Sequence, residues 1–288
     1  MESFLAQVEQ KLAKGGAHIG TSGALGWQYS LTNHPLESEP HSLATTLEPD
    51  SEKVFGKDSM IFALYGQSKA PDGESVKLLN DLVLVFSYNP ISKKSVVVAL
   101  PTQLYLERQS KEQAHKLRLA NGDSEAKVSE TNQAVQQVIQ LPIDRYIGID
   151  LDKFAQFVDD IDGLTINEQT LSGPEVKAYL QENLEDADTA AQFSRLKQVI
   201  DGLIAKVAAS DLMFQLSLLS KANKFMIDHN FALNEWTKLA EMAPNLFGNV
   251  DFIPLPLELD TIDNETYQVL DSTDLTAIKD QLSHNNDE

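Results

Sequence analysis

The chain has 288 residues, 42% of them hydrophobic, and carries 43 Asp and Glu against 23 Lys and Arg, a formal net charge of −20. That length and apolar fraction suffice for a buried core and exclude wholesale disorder. The charge excludes nucleic acid as a partner, because binding to phosphates rests on a basic stripe that displaces counterions, and the only arginines here are Arg108, Arg118, Arg145 and Arg195.

Residues 1–57 are punctuated by Gly15-Gly16, His34-Pro35, Glu39-Pro40 and Glu48-Pro49-Asp50 after a short amphipathic stretch with Val8 and Leu12, and are read as an N-terminal extension or linker. His18, His34 and His41 fall in it at spacings that match no compact metal motif. From Met60 the pattern is regular. Ile61–Tyr65, ending at Gly66, predicts a buried strand, and Leu82–Phe86 and Val96–Val98 around the turn Asn89–Lys94 predict a hairpin apolar on both faces. Val135, Val138 and Ile139 predict a helix over Ser129–Gln140. A strand at Tyr146–Leu151 follows, then a helix with Phe154, Phe157, Val158 and Ile161 that Asp162-Gly163 ends, then a strand at Leu164–Ile166. Ser172-Gly173-Pro174 opens another helix, with proline where its missing N–H costs nothing.

The longest predicted helix, Ala190–Ala209, has an apolar stripe of Leu196, Val199, Ile200, Leu203, Ile204 and Val207. Helices near Asp211–Asp228 and Asn234–Ala243, a strand at Tyr267–Leu270 and a last helix with Leu275, Ile278 and Leu282, capped by Asp271 or Ser272, complete a mixed α/β chain with one principal domain. No cysteine is present, which removes disulfides, thiolate metal sites and a cysteine nucleophile. No apolar run of about 18 residues predicts a transmembrane segment, and Met1–Ala6 lacks the basic-then-apolar order of a secretory signal.

Several segments, taken in order, carry a resemblance. They are Ile61–Gly66; Asn80-Asp81 leading the strand to Asn89-Pro90 and Lys93-Lys94; Leu100-Pro101; Leu141-Pro142-Ile143-Asp144-Arg145-Tyr146; Asp150–Phe154; Val158–Leu164; Leu171-Ser172-Gly173 with Ala178-Tyr179-Leu180; Arg195 with Gln198-Val199-Ile200; and Tyr267–Leu282. This set resembles the LytR-CpsA-Psr family of cell-envelope proteins over residues 58–282, leaving the 1–57 extension and a 283–288 tail outside. The resemblance implies a single domain with a central β-sheet flanked by helices. It also implies an extracytoplasmic place in the cell envelope and a transferase that moves glycopolymers from a polyprenyl-pyrophosphate carrier to peptidoglycan. In such a site arginines clamp the pyrophosphate. Carboxylates hold a divalent cation, magnesium if this member is active.

Against that pattern the residues diverge. Asp81 matches an aspartate of the family and is the candidate metal ligand, or else caps a turn. Thr102 and Gln103 stand where the resemblance places an arginine and an aspartate; they can offer neutral hydrogen bonds to a sugar or phosphate, about half as strong as charge-assisted ones. Gln67-Ser68 departs from an aspartate after the first glycine. Gln181 and Asn183 replace an arginine pair, in a segment that Glu182, Glu185, Asp186 and Asp188 make negative. Arg195 matches, and serves either a ligand or an ion pair with Asp186 or Asp188. Lys116 and Arg118, beside His115, are the other basic candidates, with a solvated loop as the plain alternative. Asp150, Asp152, Asp159 and Asp160 cluster without calcium-loop spacing. Asp228-His229, among apolar neighbours, is read as a structural pair. No nucleophile elbow, phosphate loop or His-Glu-x-x-His motif occurs.

The candidate ligand-binding residues are therefore Arg195, Asp81, Lys116, Arg118, Thr102 and Gln103, with catalytic residues unassigned. They support first a degenerate member, a pseudoenzyme or regulatory module that binds a polyprenyl-phosphate-linked glycan or partners a paralogous envelope protein. Two alternatives stay open. One is an active magnesium-dependent transferase or pyrophosphatase on a rearranged site of Asp81, Arg195 and Lys116 or Arg118. The other is a protein-interaction module docking through residues 1–57.

Overall fold

Side chains alternate between the two faces of a strand, and the central strands here are apolar at nearly every position. In a computed structural model, which describes residues 60–69, 78–106, 115–120, 128–182, 188–210, 221, 224–232, 235–248, 250–262 and 264–283, that pattern yields a sheet with a core on each side. Strands β1 (Met60–Lys69), β2 (Leu78–Asn89) and β3 (Lys94–Ala99) form an antiparallel meander, joined by β6 (Arg145–Asp150), β9 (Met226–His229) and β10 (Val250–Phe252). The order across the sheet is β10-β3-β2-β1-β6-β9, with β6 parallel to β1 and β10 parallel to β3. The fold is mixed α/β, with helices against a central mixed sheet.

Met60, Phe62, Leu82, Leu84 and Phe86 face one core, where Phe154, Phe157 and Val158 of α2 (Leu151–Asp159), Val176 and Leu180 of α3 (Gly173–Gln181) and Phe193, Leu196 and Val199 of α4 (Thr189–Ala208) cover them. Ile61, Ala63, Tyr65, Val83 and Val85 face the other, against Val135 and Ile139 of α1 (Val128–Ile139) and Ile278 and Leu282 of α6 (Ser272–Ser283). Helix α5 (Glu235–Gly248) lies on the first face and is anchored by a buried pair: Arg145 Nε and Nη2 donate to Glu235 Oε2 and Oε1 at 2.7 and 2.6 Å. Small two-stranded sheets, β4 (Tyr105–Leu106) with β5 (His115–Lys116), β7 (Leu164–Ile166) with β8 (Gln169–Leu171), and β11 (Leu257–Ile262) with β12 (Glu265–Leu270), decorate the edges.

Several expectations change. Met226–His229, read as the end of a helix, is an edge strand, because its residues pair with Ile147–Ile149 of β6. The helix expected to stop at Ala243 continues through Pro244 to Gly248. Ile161 lies beyond α2 in the turn to Gly163, and Ile204, counted in the apolar stripe of α4, is 41% exposed. Strands β10 and β11 were not anticipated. The expected extension over 1–57 lies outside the described residues, as do Asn183, Glu185, Asp186 and residues 284–288. Among the described residues no helix is long and apolar enough to cross a membrane.

Candidate functional site

In open α/β sheets, ligands collect outside the carboxyl ends of the parallel strands. Here the carboxyl ends of β1, β3 and β6 meet the amino end of β2, and the polar residues buried at that end cluster around Asp81. The β1–β2 register shifts between Gly66 and Gln67, so that Gly66 faces Leu82 and Gln67 faces Asn80, leaving Asp81 as the extra residue of a bulge. A bulge re-aims the side chain it carries. Gly66 permits the close approach, since a Cβ there would meet Leu82 Cβ at 2.9 Å.

The Asp81 carboxylate, 1% exposed, is satisfied from within the protein. The Ser68 hydroxyl and Gln181 Nε2 both donate to Oδ2, the latter at 2.6 Å, while Arg118 Nη2 lies 3.3 Å from Oδ1. Gln181 Nε2 also reaches Ser68 Oγ at 3.1 Å. Gln181 is the last residue of α3, a helix held by a capping box at Ser172 and Glu175 and pressed on α2, where Asp159 Oδ1 accepts from Gly173 N at 2.6 Å. A pocket of about 370 Å³ between α2 and α3 has Gln181 in its wall, with Lys177 paired to Asp152 at 2.5 Å on the same lining.

Arg118 is delivered by its backbone. Arg118 N donates to Thr102 O at 2.8 Å, Leu117 N to Leu104 O at 2.8 Å, and the buried Asn80 amide to Leu117 O at 3.0 Å. Asn80 in turn accepts from Gln67 Nε2 at 2.7 Å. Thr102, itself 1% exposed, is thus part of the wall that positions Arg118. Gln103 and Lys116 look the other way: Gln103 O accepts from Gln268 N at 3.1 Å, and the Lys116 ammonium sits 5.6 Å from the Tyr267 ring centroid, both bound to β12. Arg195, buried in α4, donates from Nη2 to Glu182 O at 2.6 Å, capping the end of α3 beside Gln181. The Nε atoms of Arg118 and Arg195 are buried and have no hydrogen-bond partner among the described residues.

Of the candidates, the structure thus brings together Asp81, Arg118 and Thr102, and links Arg195 to them through the end of α3. Gln103 and Lys116 serve the C-terminal hairpin. Ser68 and Gln181, known beforehand only as departures from the family pattern, are the direct partners of Asp81. Asn80 gave no signal, being a polar residue beside a recognised aspartate. The acidic cluster resolves into separate tasks. Asp150 caps α2 through Lys153 N at 3.0 Å, Asp152 pairs with Lys177, and Asp159 holds Gly173. Lys177 and the Lys69 N–H hold the Asp152 carboxyl below its usual range against the opposing effect of burial.

A divalent cation, which the family resemblance implies for an active member, needs about six oxygen ligands. The donor set at Asp81 does not fit one. Oδ2 already takes two protein donors and Oδ1 faces a guanidinium, and among the described residues no three His, Cys, Asp or Glu side chains converge on a common point.

The family model for LytR_cpsA_psr matches residues 38–177. Over that stretch, just under half of its length, the chain is similar to the LytR-CpsA-Psr family. Its relatives include the polyisoprenyl-teichoic acid–peptidoglycan teichoic acid transferase TagU of Enterococcus faecalis, 22% identical over 93% of this chain and 92% of that protein. The Bacillus licheniformis TagU is 28% identical over 44% of this chain and 46% of its own. Among solved structures, Bacillus subtilis TagV superposes with a TM-score of 0.62 at 18% identity, covering 80% of this chain and 98% of that one. A structure titled TagT bound to LIIa-WTA gives 0.60 at 18% identity, covering 80% and 91%. At these identities the structural likeness shows the family fold.

Proposed function

We propose that this chain is a non-transferring member of the family that binds a polyprenyl-phosphate-linked glycan in the cell envelope. One observation carries it. Asp81, the carboxylate that in an active member would hold a cation, is spent on Ser68, Gln181 and Arg118, and Gln181 stands where an arginine would face the pyrophosphate. Without a metal and a pair of arginines, the charge leaving with a pyrophosphate group is not neutralised, and that neutralisation is the main catalytic contribution in such transfers. Binding needs less: buried donors for a phosphate and an apolar surface for the lipid. The relatives named as teichoic acid transferases, and the family member solved with LIIa-WTA, support a lipid-linked glycan as the ligand class.

The test is to incubate the purified chain with a polyprenyl-pyrophosphate-linked glycan, with and without peptidoglycan acceptor and magnesium. Retention of the lipid-linked glycan on the protein with no polyprenyl phosphate released is expected; glycan transfer or pyrophosphate cleavage would overturn the proposal. A second reading, active transfer on a rearranged site, draws on Arg118, which returns a guanidinium to the loop where Thr102 stands. It requires magnesium-dependent turnover that collapses in Arg195→Ala.

A further inference from the structure

The Asp81–Arg118 pair has a meaning beyond the loss of a metal ligand. We infer that Arg118 takes the place of the divalent cation at Asp81, so that the site is a metal-independent seat for a single phosphate group. This rests on the phosphate-binding reading above.

Three observations carry it. First, the charge is balanced locally: one guanidinium faces one carboxylate at 3.3 Å, and the second carboxylate oxygen is filled by neutral donors from Ser68 and Gln181. A cation entering would have to displace all of these. Second, the guanidinium is built in. Its backbone is strapped to Thr102, and its neighbour Leu117 to Leu104 and Asn80, in two separate segments of the fold. Part of the ordering entropy a loose side chain would lose on binding is therefore already spent. Third, Arg118 keeps capacity. Its side chain is 27% exposed, and only one of its five N–H donors is bound to Asp81.

A planar guanidinium matches two phosphate oxygens at once. It supplies one positive charge where a magnesium ion supplies two, which suits a lipid monophosphate and leaves a pyrophosphate under-compensated. On a chain of net charge −20, a guanidinium held in place also gives an approaching anion a charged hydrogen-bond donor.

Titration of the full chain with farnesyl phosphate, in chelator and then in excess magnesium, tests this, with inorganic phosphate as the soluble control. The dissociation constant is expected to change less than about twofold between the two conditions. Arg118→Gln, at a half-buried position, is expected to weaken binding about tenfold in both, the loss of one charge-assisted contact. Magnesium tightening the wild type tenfold, or Arg118→Gln binding unchanged, would overturn the inference.

A metal readout separates it from the reading it rests on. Stoichiometric Mn²⁺ should leave the Gln181 side-chain amide resonance of the wild type unbroadened, and should do so equally in Asp81→Asn. Broadening in the wild type that Asp81→Asn abolishes would show a metal at Asp81 and sink the inference. Should the wild type bind no farnesyl phosphate in either condition, the phosphate-binding reading fails, and the Mn²⁺ result alone decides whether Arg118 has displaced the cation.

Discussion

Gln181 and Asp81 lie 100 positions apart in the chain, and the amide of the first donates to the carboxylate of the second at 2.6 Å. The bond ties the end of a surface helix to a bulge in the second strand of the sheet. It also takes up an oxygen that a metal or an incoming ligand would otherwise use, so the same contact contributes to stability and limits chemistry.

Asp81→Ala should therefore cost stability as well as ligand. It leaves two neutral donors and a guanidinium without their acceptor, and removing one partner of a buried pair typically costs about 3–5 kcal/mol. Arg118 is partly exposed and can rehydrate, which places the expected loss near the lower end, about 3 kcal/mol. Urea unfolding measures it; a loss under about 1 kcal/mol would mean that these contacts do not hold the site together.

Glu235→Ala is expected to be among the most damaging single changes, at about 3–5 kcal/mol, because Arg145 would remain buried and charged between β6 and α5. Burial pushes the Glu235 carboxyl up, but the bonds from Arg145 and the Ala232 N–H outweigh it and hold the group below its ordinary 4.5. A depressed carboxyl contributes stability that is fully present above the unfolded value and is lost as pH falls through the folded one. The wild type should thus lose this contribution below pH 4.5, while Glu235→Gln, already weakened, should show a flatter acid limb in the same denaturation series.

His229 works in a higher window. Burial lowers it from 6.5, against the opposing effects of Asp228 and a backbone bond at Phe231, and its ring packs edge-on against Trp236 with centroids 4.9 Å apart. The folded state thus prefers the neutral ring, so stability begins to fall as pH drops below 6.5 and continues to fall until the folded value is passed. Melting temperature followed from neutral pH downward should decline in the wild type and stay flatter in His229→Gln. Identical profiles would remove His229 from the account.

Gly173→Ala tests the packing that aims Gln181. A Cβ at this position would lie 1.8 Å from the Ala155 carbonyl oxygen, so α2 and α3 must separate. Overpacking of this kind costs about 1–3 kcal/mol. The Gln181 amide resonance should shift with it; a stable variant with an unchanged Gln181 signal would show that the helix contact does not set the site.

Much of the fold was legible because its signals are local. The apolar runs at Ile61–Tyr65, Leu82–Phe86 and Val96–Val98 became the three central strands, and Ser172-Gly173-Pro174 opened a helix as its capping chemistry required. Met226–His229 was not legible, since a short edge strand is defined by the neighbour it pairs with. Arg195 was weighed as a ligand or a partner for an acidic side chain, whereas its Nη2 binds the carbonyl of Glu182, a group that every residue carries and no spacing can flag.

What the amino-acid order determined alone is the central strands and most helices, the family resemblance and the places where charged residues of that family are missing, all readable from residue type and periodicity. Which charges meet was decided only by the tertiary structure. The bulge at Asp81 depends on Gly66 admitting Leu82, and the position of Arg118 depends on bonds to Thr102 and Asn80 from distant segments. Electrostatic pairing falls off with distance and with exposure to water, and neither quantity exists until the chain has folded.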